Sequence, residues 1–362
     1  MIKIGIDCRK ISDGGIGTYL KNLLRCWKRQ NVEAEFYLFC HTKDLASFRE
    51  FEGFANIIIH EYPKYSIREL FSFRKPLIKN NIDLFFSPHY TLPFGLPCPS
   101  VVTIHDLIHL RMPVKGGFFG RAYARFVINN VCRKSRVIIT DSEFTGNDIA
   151  GLFPKCSAKV EVIHLGVDRS IFKPLPENEI DSFRKRNSLN EEFILYVGAL
   201  KSHKNPGALA RAVNELSTPL VILTNDQIEF KKKLFSKAND ENLIRLIRLE
   251  NEHDIALLYN SATLLFHPSL YEGFGLPPLE AMSCGLPVVC SNKTSLPEVV
   301  GDAAVTFSPE DHDEMLGALK TVWDNREIRI KLSAQGLTRS DKFSWENAAM
   351  RTFEILESAA VG

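Results

Sequence analysis

The 362-residue chain lacks a run of apolar residues long enough to span a bilayer, and it lacks a basic N-terminal region followed by a long apolar segment. It also has no large excess of either charge, since 43 aspartate and glutamate residues nearly balance 45 lysine and arginine residues, which gives a formal net charge of +2. We therefore expect neither a transmembrane helix nor a signal peptide. The balanced charge gives no reason to expect nucleic acid as a partner.

The eight cysteines are scattered singly, and none forms a Cys-x-x-Cys pair. This spacing disfavours a zinc site and a disulfide framework. It predicts reduced, buried thiols in a cytoplasmic protein.

Short apolar runs recur along the chain with helical patterns between them, which predicts an α/β fold built on doubly wound parallel sheets. Seven such runs lie in residues 2–166 and six in residues 193–309. The polar, proline-bearing segment 172–187 separates the two series. Because one core rarely serves a chain of this length, we expect two Rossmann-like domains, 1–173 and 174–342, facing each other across a cleft.

A glycine-rich turn follows the first apolar run. Gly14, Gly15 and Gly17 precede a helix expected to start near Thr18, so backbone amides could approach a phosphate. A glycine turn that binds nothing explains the same residues. Leu20 stands where a dinucleotide fingerprint needs glycine, and the Walker lysine pattern is absent, which disfavours dehydrogenase and P-loop chemistry.

Polar residues also follow other predicted strands. His105 ends the fifth run, where it could hydrogen-bond a ligand or transfer a proton, although backbone groups could equally satisfy it. Gly198 follows the first run of the second half and permits close approach to the strand end. Lys204 could neutralise phosphate with help from His203, and the alternative is a solvated lysine at a helix start.

The stretch YEGFGLPPLE (271–280) predicts a loop that leads into a helix, with its two prolines in the first turn. Glu272 would lie in the loop and Glu280 in the helix, and the glycines between them would leave backbone amides exposed. Amides suit phosphate and carboxylates suit sugar hydroxyls, so the ligand indicated is a sugar nucleotide. An acidic helix start explains Glu280 but not Glu272.

These residues resemble the Glu–seven residues–Glu motif of retaining nucleotide-sugar glycosyltransferases with the GT-B fold, close to glycosyltransferase family 4. Supporting matches occur in the family's order over nearly the whole chain: GGIGTYL, TIHDL, TDSEFTGNDI, VIHLGVDRSIFKP, YVGALKSHKN, SLPEVVGDAA and FSWENAA. The resemblance implies an acceptor-binding first domain and a nucleotide-sugar-binding second domain. It also implies a terminal helix, 343–362, that crosses back onto the first domain.

The resemblance assigns the donor sugar to the second domain. Glu272 would hold the donor hexose together with the amides of Phe274, Gly275 and Leu276. Glu280 would hold the ribose hydroxyls.

The resemblance assigns the diphosphate to Lys204, with Gly15 and Gly17 on its other side, and places His105 against the donor sugar. His203 stands where many relatives carry arginine. A permanent charge is thereby replaced by a titratable group, which predicts a weaker or pH-dependent hold on the diphosphate.

No metal and no cofactor are expected, because Lys204 and the loop amides can stabilise a leaving diphosphate. The segment Asp311-His312-Asp313 matches the Asp-x-Asp of the other glycosyltransferase fold. It is interpreted instead as the acidic start of a helix, capped by Ser308 or Asp311.

The implied reaction moves a hexose from a GDP- or UDP-linked donor to a hydroxyl of a glycan or lipid-linked acceptor, with retention of configuration. TIHDL together with HKN favours GDP-mannose. A sugar-nucleotide epimerase or synthase on the same fold and an inactive carbohydrate-binding protein stay open as alternatives, although the retained charged residues argue against the latter.

Residues 111–136 combine seven basic residues with an aromatic run. This composition fits peripheral contact with the inner face of the cell membrane. A solvated helix that covers the sheet fits it equally well.

Overall fold

A computed structural model of the chain describes residues 1–62, 67–112, 117–189, 191–225 and 238–361. The chain forms two compact units, which we call the N-terminal unit (Met1–Gly166 with Ser344–Gly362) and the C-terminal unit (Val167–Phe343). The division therefore follows residue 166, whereas the sequence pattern predicts it after residue 173 and predicts a terminal segment that begins at residue 343. The reason lies in Phe172, whose ring packs 6.0 Å from that of Tyr259 and whose carbonyl accepts a hydrogen bond of 2.6 Å from Ser283.

All of the predicted apolar runs form strands. The strands are β1 (Ile2–Asp7), β2 (Ala34–Cys40), β3 (Ala55–Ile59), β4 (Leu84–Ser87), β5 (Ser100–Ile104), β6 (Val137–Thr140), β7 (Val160–Val162), β8 (Ile194–Val197), β9 (Leu220–Leu223), β10 (Ile244–Ile247), β11 (Leu264–His267), β12 (Val288–Ser291) and β13 (Ala304–Phe307). Most are shorter than the apolar runs that predicted them, because the polar residue at the end of a run belongs to the following loop.

Helices connect most of these strands. The α-helices are α1 (Gly14–Gln30), α2 (Arg74–Lys79), α3 (Ile108–Arg111), α4 (Gly117–Lys134), α5 (Glu143–Leu152), α6 (Glu177–Arg186), α7 (Pro206–Leu216), α8 (Glu252–Ser261), α9 (Leu276–Ser283), α10 (Leu296–Val300), α11 (His312–Trp323), α12 (Arg326–Ser340) and α13 (Trp345–Val361). Short 3₁₀ segments also occur, among them Ile67–Phe71, Pro154–Lys159 and Ser202–Lys204.

Each unit contains one sheet in which every pairing is parallel. The order is β3-β2-β1-β4-β5-β6-β7 in the N-terminal unit and β10-β9-β8-β11-β12-β13 in the C-terminal unit. Strands β4, β5, β11 and β12 are buried at every residue, as expected for parallel strands that helices cover on both faces. The two sheets confirm the predicted pair of doubly wound α/β domains.

The strand order reverses once in each sheet, between β1 and β4 and between β8 and β11. The connections on the two sides of such a point lead away from each other, so a crevice opens at the carboxyl ends of the strands. In doubly wound sheets this crevice is where ligands bind. The loops after β1, β4, β8 and β11 are therefore the first places to look for a site in each unit.

The terminal helix α13 packs against the N-terminal unit, as predicted. The indole of Trp27, which is fully buried and stacks on Phe36 at 5.2 Å, donates a 2.8 Å hydrogen bond to the carbonyl of Ala349. At the start of the helix the backbone of Gly166 lies so close that a Cβ there would stand 2.0 Å from the nitrogen of Trp345.

The basic and aromatic segment 111–136 is mostly helix α4. Residues 113–116 lie outside the described residues. The helix buries Ala124, Val127, Ile128 and Val131 at three- and four-residue spacing, which is the face that covers the sheet. In the described part of the chain, no helix combines the length and the apolar character needed to cross a bilayer.

We expect Gly166→Ala to lower the free energy of unfolding by about 2–3 kcal/mol, because the added methyl group meets backbone that no side-chain rotation can move. The matched control is Gly151→Ala in α5, where a Cβ has no described neighbour within 4 Å. That change should be neutral or stabilise by about 0.5–1 kcal/mol. Denaturant unfolding of both variants makes the comparison, and equal stabilities would show that Gly166 is not held by close packing.

Candidate functional site

The stretch YEGFGLPPLE follows β11 and has the predicted shape, with Glu272 in the loop and Glu280 in helix α9. Gly275 caps the helix with a φ of 119°, and a Cβ there would lie 2.8 Å from the side chain of Leu296. Both prolines lie in the first turn, and Gly285 follows the helix with a φ of 75°. The loop can therefore bend sharply at the carboxyl edge of the sheet.

Glu272 forms a compact ionic cluster with two basic side chains. The Nζ of Lys204 lies 2.5 Å from Oε1 and 2.7 Å from Oε2 of Glu272. The Nε2 of His267, at the end of β11, lies 2.8 Å from Oε1. Since a carboxylate accepts hydrogen bonds, Nε2 carries the proton of the imidazole.

The pKa values of this cluster follow from burial and charge. Burial alone would raise the pKa of Glu272, but Lys204 and His267 outweigh it and hold that pKa well below its usual range. Burial lowers the pKa of His267, so its ring is neutral at physiological pH. The site thus presents an ionised carboxylate beside a lysine, and Oε2 of Glu272 retains capacity to accept a hydroxyl proton.

Two residues of the next loop hold the backbone around Glu272. The amide of Glu272 donates to the hydroxyl of Thr294 at 3.0 Å. The hydroxyl of Ser295 lies 3.1 Å from the carbonyl oxygen of Glu272 and 2.7 Å from that of Phe274. The carboxylate is therefore positioned from two neighbouring loops.

Lys204 ends the 3₁₀ turn that follows β8, on the other side of the strand reversal. Gly198 leaves that strand with a φ of 142°, a conformation that favours glycine. The carbonyl of His203 accepts a 2.7 Å hydrogen bond from the amide of Leu270, which ties this loop to the one after β11. The lysine lies at a loop-to-helix junction, as predicted, because α7 begins two residues later at Pro206.

Glu280 lies in a different electrostatic environment. Its Oε2 accepts a 2.7 Å hydrogen bond from the hydroxyl of Tyr259 in α8. Burial, together with the nearby charge of Glu252, raises the pKa of Glu280 from 4.5 to about 7, although the Tyr259 hydroxyl acts in the opposite direction. Glu280 therefore titrates near neutral pH, whereas Glu272 stays ionised.

The glycine-rich segment after β1 differs from the prediction in one respect. Helix α1 begins at Gly14, not near Thr18, so the glycines form its first turn. A Cβ at Gly17 would lie 2.2 Å from the carbonyl oxygen of Ile11, so packing alone requires glycine there. A Cβ at Gly15 would have no described neighbour within 4 Å, which leaves space for a ligand group beside that residue.

His105 follows β5 and is held between two oxygen atoms. Its Nδ1 lies 2.6 Å from Oδ2 of Asp141, and its Nε2 lies 2.9 Å from the carbonyl oxygen of Pro88. Burial alone would lower the pKa of His105, but Asp141 outweighs it and the pKa is raised.

The structure thus brings Lys204 and Glu272 into contact and places Glu280 on the helix that follows. Sequence reasoning missed His267, Thr294, Tyr259 and Asp141 as partners of the predicted residues. His267 and Asp141 both stand at strand ends, so the rule that located His105 could have found them. Tyr259 lies inside a helix, and no pattern in the sequence marks it.

The acidic segment predicted to start a helix does so. Asp311 caps α11 and accepts hydrogen bonds of 3.0 Å from the amides of Asp313 and Glu314. Within the described ranges, no group of three or more histidine, cysteine, aspartate and glutamate side chains is arranged to hold a metal ion.

Comparison with known families and proteins adds two family matches. Residues 177–339 match the model described as glycosyl transferases group 1, and residues 13–171 match the model described as Glycosyltransferase Family 4. O-antigen chain mannosyltransferase B from Escherichia coli is 30% identical over 277 residues, which cover 74% of this chain and 72% of that protein. Serotype-specific mannosyltransferase WbdA from Escherichia coli is 31% identical over 75% of this chain, but the match spans only 35% of WbdA.

Solved structures share the fold at low sequence identity. Sucrose-phosphate synthase from Thermosynechococcus elongatus superposes with a TM-score of 0.83 and 17% identity, over 99% of both chains. Alr3699/HepE from Anabaena, solved in complex with UDP and glucose, gives a TM-score of 0.80 and 18% identity over 99% of this chain and 100% of that one.

The raised pKa of Glu280 predicts a pH-dependent stability. The folded state holds the proton of Glu280 more tightly than the unfolded chain, so stability falls as pH rises from 4.5 to about 7. Glu280→Gln keeps an acceptor for Tyr259 and removes this titration. We expect the free energy of unfolding of the variant, relative to that of the unmodified protein, to increase across that interval by about 3 kcal/mol. Denaturant unfolding at several pH values measures the difference.

Tyr259→Phe provides the complementary test, because it removes the Tyr259 hydroxyl, which lowers the pKa of Glu280. That variant should extend the loss of stability to higher pH. Parallel pH profiles for the unmodified protein and Glu280→Gln would show that Glu280 does not titrate near neutrality.

Proposed function

The chain belongs to the group 1 glycosyltransferases, and on that basis we propose that it transfers mannose from a nucleoside-diphosphate sugar to a hydroxyl group of a glycan or lipid-linked acceptor. The observation that carries this proposal is the contact between Lys204 and Glu272 at the carboxyl edge of the C-terminal sheet. Two relatives that are mannosyltransferases by name support the choice of mannose, and so GDP-mannose is the first donor to test. The UDP-linked hexoses come next.

Glu272 is proposed to hold the hexose. Its Oε1 already accepts hydrogen bonds from Lys204 and His267, whereas its Oε2 accepts one from Lys204 alone among the described contacts. Each carboxylate oxygen can accept two, so Oε2 can take a sugar hydroxyl. The low pKa of Glu272 ensures that this acceptor is ionised.

The diphosphate is proposed to lie against Lys204 and the amides of Phe274, Gly275 and Leu276. An ammonium group has three hydrogen-bond donors, and two of those of Lys204 are directed at Glu272. The third remains for a phosphate oxygen. His203 is proposed to make this binding depend on pH, because an imidazole is a titratable group whereas a guanidinium is not.

Glu280 is proposed to hold the ribose. Tyr259 occupies Oε2 of Glu280, which leaves Oε1 for the two ribose hydroxyls. Since ionised Glu280 is the better acceptor, nucleotide binding should strengthen as pH rises through about 7.

The proposed reaction retains the anomeric configuration and needs no metal ion. The bond from the anomeric carbon to the diphosphate oxygen breaks while a bond from the acceptor oxygen forms on the same face, and the acceptor proton passes to the leaving phosphate. Lys204 and the loop amides stabilise the charge that develops on the leaving group. Proton NMR of the product, which should carry the same anomeric configuration as the donor, tests retention.

The N-terminal unit is proposed to contact the inner face of the cell membrane through α4. Arg121, Arg125 and Phe126 are exposed on the side of this helix that faces away from the sheet. The rings of Phe71, Phe94 and Phe126 form a chain, with centroids 5.5 Å and 6.1 Å apart. Basic residues beside exposed aromatic rings suit an anionic lipid surface, where a lipid-linked acceptor would be found.

Calorimetry with a bare nucleoside diphosphate and with the intact sugar nucleotide separates the two glutamates. Glu280→Ala should weaken both ligands by about 1.5–3 kcal/mol, because every nucleotide carries the ribose. Glu272→Gln should weaken only the sugar nucleotide and abolish most turnover. Its binding of the bare diphosphate should be unchanged or tighter, because Lys204 is no longer neutralised.

Calorimetry and turnover are both measured in excess EDTA. The matched control is Asp311→Asn, because it removes a carboxylate from another helix start of the same unit. If Glu272→Gln weakens both ligands equally, the assignment to the hexose is wrong. Loss of activity in EDTA that manganese restores would contradict the metal-free reaction. Turnover of the donor without any acceptor would indicate an epimerase instead of a transferase.

Liposome sedimentation tests the membrane contact. Arg121→Gln/Arg125→Gln should reduce binding to anionic vesicles about 10- to 30-fold, since each arginine near such a surface contributes about 1 kcal/mol. The control, Lys331→Gln/Lys342→Gln, removes the same charge from exposed positions of the C-terminal unit. Equal sedimentation of both variants would leave α4 as a helix that only covers the sheet.

A further inference from the structure

The imidazole of His105 faces a hydrogen-bond acceptor at each of its nitrogens. Nε2 lies 2.9 Å from the carbonyl oxygen of Pro88, which has no proton to donate, so Nε2 must be the donor. Nδ1 lies 2.6 Å from Oδ2 of Asp141, and an ionised carboxylate is likewise an acceptor. A ring that donates from both nitrogens is an imidazolium ion.

The Asp141 carboxyl group lies where a negative charge requires a positive partner. The carboxylate directly follows β6 and its side chain is only 4% exposed. Its Oδ1 has no hydrogen-bond partner among the described residues. Burial of an ionised carboxylate without a counter-charge is strongly unfavourable, and the His105 ring is the group in contact with it.

The other groups packed around the ring do not oppose its charge. Asp106, next in the chain, is acidic and also raises the pKa of His105. The ring of Tyr19 in α1 meets the imidazole edge-on at 5.0 Å, and its hydroxyl is 3.1 Å from that of Thr103. Burial raises the pKa of Tyr19, so its hydroxyl stays neutral. Thr145 in α5 donates to the carbonyl of His105 at 3.3 Å and carries no charge.

We propose that His105 is an imidazolium ion at neutral pH, that Asp141 is the positioning residue that maintains it, and that His105 acts as a positive charge and not as a proton acceptor. The ligand class that it attracts is an anion. This inference rests on the proposed function for the identity of the anion, but the protonation state does not depend on it. It replaces the proton-transfer role that the sequence had left open for His105.

Nitrogen-15 NMR of the histidine-labelled, unliganded protein tests the charge directly. At about pH 7.5 a histidine of ordinary pKa is about 90% neutral, whereas His105 should show both nitrogens protonated. His105→Gln identifies the signals by their disappearance. A neutral ring at that pH, including one in which the proton resides on Asp141, overturns the inference, and this measurement needs no variant of Asp141 to fold.

Asp141→Asn tests the positioning role. It keeps an acceptor beside Nδ1 and removes the charge, so His105 should be largely neutral at about pH 7.5. The matched control is Asp148→Asn in α5, a buried aspartate 2.7 Å from Arg111, which should leave the His105 signals unchanged. If His105 stays protonated in Asp141→Asn, Asp141 is not the residue that maintains the charge.

The pH profile of turnover separates this inference from the proposed function. Relative to the unmodified enzyme at each pH, Asp141→Asn should lose kcat/KM about tenfold per pH unit above the ordinary histidine pKa of about 6.5, whereas the ratio of Asp148→Asn to the unmodified enzyme should stay constant. A neutral ring in an enzyme that transfers mannose overturns the inference alone. An imidazolium in a protein that transfers no hexose supports the charge and overturns the proposed function.

Discussion

The parallel pairing of every strand is the constraint on which the rest of the structure depends. Because all strands of a sheet point the same way, all of their carboxyl ends meet at one edge. Residues far apart in the chain therefore become neighbours there: Lys204 after β8 meets Glu272 after β11, and His105 after β5 meets Asp141 after β6. The reversal of strand order beside β1 and β8 then opens the space that a ligand needs.

Burial at this edge makes each charge depend on its partner. Glu272 and Glu280 belong to one short stretch and are both removed from water, yet their pKa values shift in opposite directions. Lys204 and His267 reverse the effect of burial on Glu272, whereas Glu280 has a neutral hydroxyl from Tyr259 and another carboxylate, Glu252, nearby. A permanently ionised group suits the positioning of a reacting sugar, and a titrating group suits a binding step that responds to pH.

Much of the fold could be predicted because it rests on local pattern. The apolar runs located the strands, and the prolines and Gly285 located the ends of α9. The boundary between the units was displaced by seven residues because Phe172 packs on Tyr259, a contact that polar composition does not reveal. Glycine content likewise could not separate Gly17, which packing against Ile11 requires, from Gly15, which faces open space.

The sequence by itself determined the class of fold, the order of its elements and the identity of the residues at the strand ends, because periodicity and turn chemistry act over a few neighbouring positions. Only the tertiary structure decided which of those residues touch, and hence their charge. His105 could be assigned as a donor or an acceptor from its position in the chain. It is the oxygens of Pro88 and Asp141, brought to its two nitrogens by β4 and β6, on which the proposed donor role rests. Protonation depends on atoms a few ångströms away in space, and the chain order does not specify those atoms until the sheet has formed.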